Sequence, residues 1–375
     1  MKILHVFNSM NCGGAENMIM NILRCIDRNE FQFDFLVHSD TPAFFDAEIK
    51  KLGGNIYKLP RWNILNTIKY KKALDDFFKS HSDYSLVHGH MESSAALYLK
   101  AAKKYGIRTV VHSHNPYPPK IRLKTLLFKL LNLKTRKYAD FFLACSMDAG
   151  IERFGEKCVK SDIFKVLPNS VDTSRYLYSE EAEKEIKEKY SLDNKFVVGH
   201  MGRFDGVKNH LFLLNVFYEI QKQNKDSVLL LLGDGKLQSK IKKTAKKLGI
   251  FDKIIFAGVL SNAHEYLKAM DAFVFPSFYE GLGMAVIEAE CVGIPCFITD
   301  TLPKDLDIND NVYRISLDKS YKEWADIILK NHLNRTDNDV AVKNIKKAGY
   351  DVSKTIKKTE EFYKNFDKIC KEKKQ

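Results

Sequence analysis

From Ala272 to Ile298 the chain reads AFVFPSFYEGLGMAVIEAECVGIPCFI. Residues 272–275 are apolar and too few for a helix, and Pro276 stops the run. A loop with two glycines follows. Residues 284–291 then form an apolar stretch of helix length, closed by Gly293 before a second apolar run at 295–298. Two buried strands joined by a helix make a βαβ crossover. Such a crossover implies a parallel sheet covered on both faces.

The same alternation runs outward in both directions. Upstream, short apolar runs at 196–200, 228–232 and 254–257 are separated by helical patterns at 211–223, 236–248 and 265–270. The first half repeats the scheme, with runs at 3–7, 33–37, 85–88, 109–112 and 141–144. Helical patterns at 16–26, 64–78, 93–104 and 123–137 lie between them. The fold class is therefore α/β, with two doubly wound Rossmann-like domains facing a cleft. The PNSVD turn at 168–172 marks the boundary, ahead of a charged helix at 179–190. This divides the chain into 1–172, 173–350 and a C-terminal segment 351–375, of which 353–374 reads as one long charged helix.

Composition agrees. The 375 residues are 45% hydrophobic and 29% charged, which excludes wholesale disorder. No run approaches the roughly 18 apolar residues of a membrane span. The opening MKILHVFNSM is interrupted by Asn8 and Ser9 and reads as a first strand, not a signal peptide. Seven scattered cysteines without a CxxC pair point to reduced thiols and a cytoplasmic protein, peripheral on the inner face of the membrane at most.

Ligands of doubly wound sheets bind beyond the carboxyl ends of strands, and four constellations lie there. Gly13 and Gly14 follow the first strand and open a helix, so backbone N–H groups can approach an anion. His88 with His90, and His112 with His114, share a sheet face by alternation. Core packing, zinc ligation and substrate hydrogen bonding all remain open for them, with His90 and His114 nearest the strand ends. Gly202 gives a tight strand exit, after which Arg203 and Lys208 can converge on one diphosphate.

The fourth constellation is the Glu280–Glu288 block. Eight helical steps would span about 12 Å. A retaining hydrolase needs its carboxyls about 5 Å apart. The two glutamates are therefore not a glycosidase pair. Glu280 belongs to the loop and Glu288 to the helix, with free N–H groups near Gly283 and Met284 between them. Asp305 and Asp307 spell a DxD, and Gly233–Lys236 a GDGK, but neither completes a nucleotide motif. Cys291 and Cys296 read as core.

On these residues the chain resembles the family 4 glycosyltransferases of GT-B fold, and within them the bacterial capsule and exopolysaccharide enzymes. GGAE, PNSVD, GRFDGVKNH, EGLGMAVIE and VGIPCFITD carry the resemblance and spread from Gly13 to Asp300. It implies a retaining, metal-independent transferase with no cofactor, using a nucleotide-diphosphate sugar, UDP-sugar favoured. The acceptor would be a glycan or a polyprenyl-diphosphate-linked oligosaccharide. Residue by residue, Gly13 and Gly14 would face the donor phosphates, and Arg203 and Lys208 would neutralise the leaving diphosphate. Glu280 would hold the sugar hydroxyls and Glu288 the ribose. Backbone at Leu282, Gly283 and Met284 would meet sugar and phosphate, the loop at Val259 the base, and His114 the donor sugar. The last helix would cross back onto the first domain. GMA at 283–285 departs from the family's usual run, so sugar selectivity stays open. The competing readings are a GT-B epimerase or phosphorylase and, from another class, a nucleic-acid-binding protein.

The formal net charge of +13 is local. Residues 93–139 hold eleven Lys and Arg and no Asp or Glu, leaving the remainder nearly neutral. Within this stretch, leucines at helical spacing among the cations suggest that 120–137 touches an anionic membrane. Nucleic acid is not expected, since no recognition motif accompanies the charge.

Overall fold

The computed structural model describes residues 1–91, 93–114 and 134–371. The chain divides into two compact units, Met1–Ser170 with Val352–Gln375, and Val171–Asp351. Each holds one wholly parallel sheet.

In the first unit the strands are β1 (Lys2–Phe7), β2 (Gln32–Val37), β3 (Ile56–Lys58), β4 (Leu86–Gly89), β5 (Arg108–Ser113), β6 (Phe141–Ala144) and β7 (Phe164–Val166). Their order in space is β3-β2-β1-β4-β5-β6-β7, so the winding reverses between β1 and β4. The second unit has β8 (Phe196–Met201), β9 (Ser227–Leu232), β10 (Ile254–Gly258), β11 (Ala272–Phe275), β12 (Cys296–Thr299) and β13 (Val312–Ile315). These lie in the order β10-β9-β8-β11-β12-β13, reversing between β8 and β11. The central strands are apolar along their length because helices cover both faces. Short, part-exposed strands at or next to the sheet edges, β3, β7 and β13, lack that signal, and the apolar pattern does not reveal them.

Two expected helices differ. The pattern at 64–78 becomes a helix only at Thr67, because Asn63 and Asn66 exchange backbone-to-side-chain hydrogen bonds of 2.8 and 2.9 Å and form a turn first. The tail is two helices, Val352–Lys364 and Phe366–Lys371, rather than one. Asn365 separates them, its Nδ2 donating to the Glu361 carbonyl at 3.0 Å. The tail belongs to the first unit, where Phe362, Tyr363 and Phe366 join the core beside helix Gly14–Cys25. Most of the expected 123–137 helix, and most of the basic 120–137 segment, lies outside the described residues. Among those described, no helix is long and apolar enough to cross a membrane.

The sheets bury many imidazoles. His5, His38, His88, His90, His112 and His114 in the first unit, and His200 and His210 in the second, have little or no exposure. Burial holds each below the ordinary histidine range, His5 and His114 down to about 3 and His210 to about 4. The folded chain keeps them neutral, whereas the unfolded chain protonates them near pH 6.5. The unfolded state therefore binds more protons below that pH, and stability falls as the medium is acidified. Each such group contributes up to about 1.4 kcal/mol per pH unit. Denaturant titrations between pH 7.5 and 5 are expected to lose stability with a slope of several protons; a flat profile would contradict the buried neutral set.

Candidate active site

In the second unit the polar residues gather where the winding reverses, on the loops after β8 and β11. Gly202 leaves β8 with its N–H on the Leu232 carbonyl at 3.0 Å. The buried Phe204 plugs the loop, its N–H on the Asp234 carbonyl at 2.9 Å. Gly233 and Gly235, with φ of +129° and +159°, let the neighbouring turn come against the backbone of Gly202 and Phe204. GDGK is thus a packing turn between β9 and helix Gln238–Lys247. Asp205 Oδ1 accepts from Val207 N at 2.9 Å and Lys208 N at 3.3 Å, which turns the chain so that Lys208 points back across Gly202.

Phe278 N donates to the Val207 carbonyl at 3.0 Å, joining the two loops. Beside that bond, Lys208 Nζ meets Glu280 Oε1 at 2.7 Å and lies 4.5 Å from the Phe275 ring centroid. The structure therefore brings Lys208 and Glu280 together, two residues 72 apart in sequence. Arg203 stands apart: its side chain is 73% exposed and its nearest carboxylate, Asp205, is 3.9 Å away. An exposed guanidinium with a weak partner is free to swing onto an anion.

Helix Met284–Val292 starts at Gly283, whose φ of +81° requires glycine. Its first N–H groups have no intrahelical partner and carry partial positive charge. Leu282 sits in the core by its side chain, so only its backbone can face a ligand, and Met284 is part-buried. Glu288, part-buried one turn in, hydrogen-bonds the Tyr176 hydroxyl and feels Arg175, yet burial raises its pKa to about 7. Glu290 faces inward instead. It is buried, accepts from Asn309 N at 2.9 Å, and is pushed up to about 8. Val259, just past β10, is 43% exposed. Cys291 and Cys296 are core. Asp307 of the DxD is held by Arg314 at 2.7 Å, a structural tie.

In the first unit Gly13 caps helix Gly14–Cys25, and a side chain at 13 would strike the Glu16 carboxylate that folds back beneath it. His114 lies just past β5, nine-tenths buried. It belongs to a set of five: the register places His5 opposite His88, and His90, His112 and His114 continue along the same face. His5 Nδ1 lies 3.0 Å from His90 Nε2, and His90 Nδ1 lies 2.8 Å from His114 Nε2. His88 Nδ1 meets the Tyr363 hydroxyl at 2.8 Å. Two triads, His5–His88–His90 and His90–His112–His114, have ring nitrogens close enough for a metal ion. They offer no anionic ligand, and a dication would carry its full charge into an apolar interior. The short nitrogen-to-nitrogen distances fit hydrogen bonds instead.

Sequence reasoning missed His5, His200, His210, Arg175, Tyr176 and Tyr363. His5 had a signal in its strand phase, being on the face of Ile3 and Phe7. Tyr363 had none.

Comparison with known proteins fits this geometry. The pattern of Glycosyltransferase Family 4 matches residues 12–175, and that of Glycosyl transferases group 1 matches 182–348. EpsF of Bacillus subtilis (strain 168), which bears the name of a glycosyltransferase, is 31% identical over 364 residues, covering 95% of this chain and 94% of its own. The chain belongs to glycosyltransferase family 4. An Escherichia coli UDP-Gal:alpha-D-GlcNAc-diphosphoundecaprenol alpha-1,3-galactosyltransferase is 26% identical, covering 80% of this chain and 79% of its own. Anabaena Alr3699/HepE, solved in complex with UDP-glucose, superposes with a TM-score of 0.79 at 18% identity, covering 97% of this chain and all of its own. The likeness shows the GT-B fold. The protein is thus a glycosyltransferase, and the epimerase, phosphorylase and nucleic-acid readings are not favoured.

The Gly283 turn gives this glycosyltransferase a direct test. Gly283→Ala puts a side chain at positive φ and against Leu306. Thermal or denaturant unfolding is expected to show a loss of about 1–2 kcal/mol.

Proposed function

We propose that this glycosyltransferase transfers a hexose from a UDP-sugar, with retention and without a metal, to a glycan or lipid-diphosphate-linked acceptor in bacterial surface polysaccharide synthesis. The observation that carries the reading is the Lys208–Glu280 pair, set beside the N-terminus of helix Met284–Val292. Breaking the anomeric C–O bond builds negative charge on the departing diphosphate. The Lys208 ammonium, the exposed Arg203 guanidinium and unpaired helix N–H groups aimed there stabilise that charge. Glu280, held by Lys208, is oriented to accept from sugar hydroxyls. When phosphate draws Lys208 away, the carboxylate remains free to bind the sugar.

Glu288 is assigned to the ribose diol, Gly202 to the phosphate loop, and Val259 to the base. In the first unit Gly13 and Gly14 are assigned to phosphate and His114 to the donor sugar. Attack from the same face as the leaving group, with the phosphate taking the acceptor proton, needs no second carboxylate. A UDP donor and a lipid-diphosphate acceptor are supported by the activity that the Escherichia coli relative is named for. The basic 120–137 segment is assigned to the membrane on its sequence alone.

A panel of sugar nucleotides tests this by slow hydrolysis and binding, with NMR of the product's anomeric centre. UDP-sugar turnover, retained configuration and persistence of activity in chelator are expected; inversion or chelator loss would refute those parts. Because Glu288 titrates near 7, its carboxylate form grows as pH rises from 6 to 8. Donor KM should fall several-fold across that interval in wild type and stay level in Glu288→Gln. Equal pH dependence in both proteins would remove Glu288 from the ribose.

A further inference from the structure

Residues 61–68 of the first unit expose large apolar side chains on a stiff loop. Ile64 is 73%, Leu65 98% and Ile68 86% exposed. The loop is tied through Trp62, Asn63, Asn66 and Thr67. Besides the paired Asn63–Asn66 bonds, Asn66 Nδ2 donates to the Arg61 carbonyl at 2.8 Å, and Trp62 Nε1 donates to Thr67 Oγ1 at 3.1 Å. These bonds hold Ile64 and Leu65 outward, where water solvates them poorly. Ile68 follows on the outer face of helix Thr67–Ser80, whose inner face buries Tyr70, Leu74, Phe77 and Phe78. Exposed Lys71 and Lys72 come one turn after Ile68, beside exposed Lys69 and Arg61. Residues 49–74 contain seven Lys and Arg and no Asp or Glu. The next acid, Asp75, is taken by Lys104 at 2.6 Å and the Tyr105 hydroxyl at 2.9 Å.

An apolar tip flanked by exposed cations matches a surface that is anionic outside and apolar just beneath. We propose that Ile64, Leu65 and Ile68 insert into the interfacial layer of an anionic phospholipid bilayer, with Arg61, Lys69, Lys71 and Lys72 on the headgroups. This goes beyond the donor and acceptor assignments and stands without them.

Flotation of the full chain tests it with phosphatidylcholine vesicles, with and without about 30% phosphatidylglycerol. Wild type is expected to float with the anionic vesicles and to release at high salt. Ile64→Ser/Leu65→Ser/Ile68→Ser is expected to lose at least about tenfold in vesicle partitioning at unchanged melting temperature, since the three side chains are outside the core. Lys69→Gln/Lys71→Gln/Lys72→Gln is expected to lose the preference for anionic lipid. Undiminished flotation of the apolar triple variant would overturn the proposal and leave membrane contact to 120–137. So would a wild-type dimer by light scattering that the same variant dissolves, which would make the patch an interface between copies.

A separate observation carries a second inference. His5, His90 and His114 are joined edge to edge: their ring centroids lie 5.3 and 5.0 Å apart with interplanar angles of 24° and 27°. His90 spends both nitrogens in this chain. His5 Nε2, packed against Phe33 and Phe35, has no partner. An unpaired buried N–H is rarer than an unpaired acceptor. His114 Nδ1 is likewise buried without a partner, but it lies just past β5, where the donor sugar is assigned and can supply an acceptor, whereas His5 Nε2 lies among phenylalanines. On that ground His5 carries its proton on Nδ1 and donates to His90 Nε2, and His90 donates from Nδ1 to His114 Nε2. We propose that His5 and His90 are positioning residues that hold His114 as the Nδ1–H tautomer, a hydrogen-bond donor and not a base. The direction of the chain and its link to turnover both rest on the assignment of His114 to the donor sugar.

Long-range proton–nitrogen NMR of histidine-labelled protein reads the tautomers directly. Nδ1–H is expected at all three rings, and an Nε2–H at His114, or one bound zinc per chain by mass spectrometry, would overturn the chain. His90→Phe should lower kcat about tenfold or more with donor KM within threefold, and His90→Gln should restore part of it. Wild-type kcat in His114→Ala would instead sink the assignment of His114, leaving the NMR result to judge the chain alone.

Discussion

A parallel sheet covered by helices on both faces offers polar groups little room except at the carboxyl ends of its strands. At the point where the winding reverses, the helices that follow two adjacent strands leave to opposite faces, and their loops part. In the second unit that point lies between β8 and β11. The loops after these two strands carry Lys208 and Glu280, and the ion pair between them fastens the two loops. Gly202 leaves room for the Lys208 side chain to cross, Gly233 and Gly235 let their turn close on the backbone of Gly202 and Phe204, and the buried Phe204 ring anchors the loop. The site is thus a consequence of strand order, completed by four small or buried residues around it.

Burial also sorts the three acidic residues of one helical region by role. Glu280 keeps an ammonium partner. Glu288 keeps a phenol and a nearby guanidinium, and sits near its titration midpoint at neutral pH. Glu290 has turned inward to bind backbone at Asn309 and helps hold the loop beyond. Residues two apart on a helix face different ways, so 288 and 290 were never equivalent. In the first unit the same sheet physics produces the opposite solution. Five imidazoles lie within the apolar face; His5, His90 and His114 pair with one another and His88 pairs with Tyr363, which replaces part of the water they have lost.

The strand and helix alternation was legible because central parallel strands must be apolar throughout. The helix starting at Met284 and a parallel crossover followed from residues 272–298 alone, and the doubly wound class from the same alternation along the rest of the chain. Strands β3, β7 and β13 were not legible, since an edge strand has a single neighbour and needs no apolar run. The turn at Asn63–Asn66 hid for another reason: hydrogen bonds between two amides override an apolar periodicity that reads as helix. Of the candidate site, Gly283, Glu280 and Lys208 could be named from their places after strands.

Local chemistry is what the amino-acid order determined by itself: glycine where φ is positive, cations and carboxylates on loops after buried runs, and an excess of charge confined to part of the first half. Tertiary structure decided the pairings. Residues 208 and 280, or 88 and 363, meet only because sheet order and the returning last helix bring them together. Sequence spacing carries no distance for such pairs, and protonation follows the same rule. A histidine's neutrality, or a glutamate's pKa near 7, depends on how much water the fold removes, which no stretch of chain states on its own.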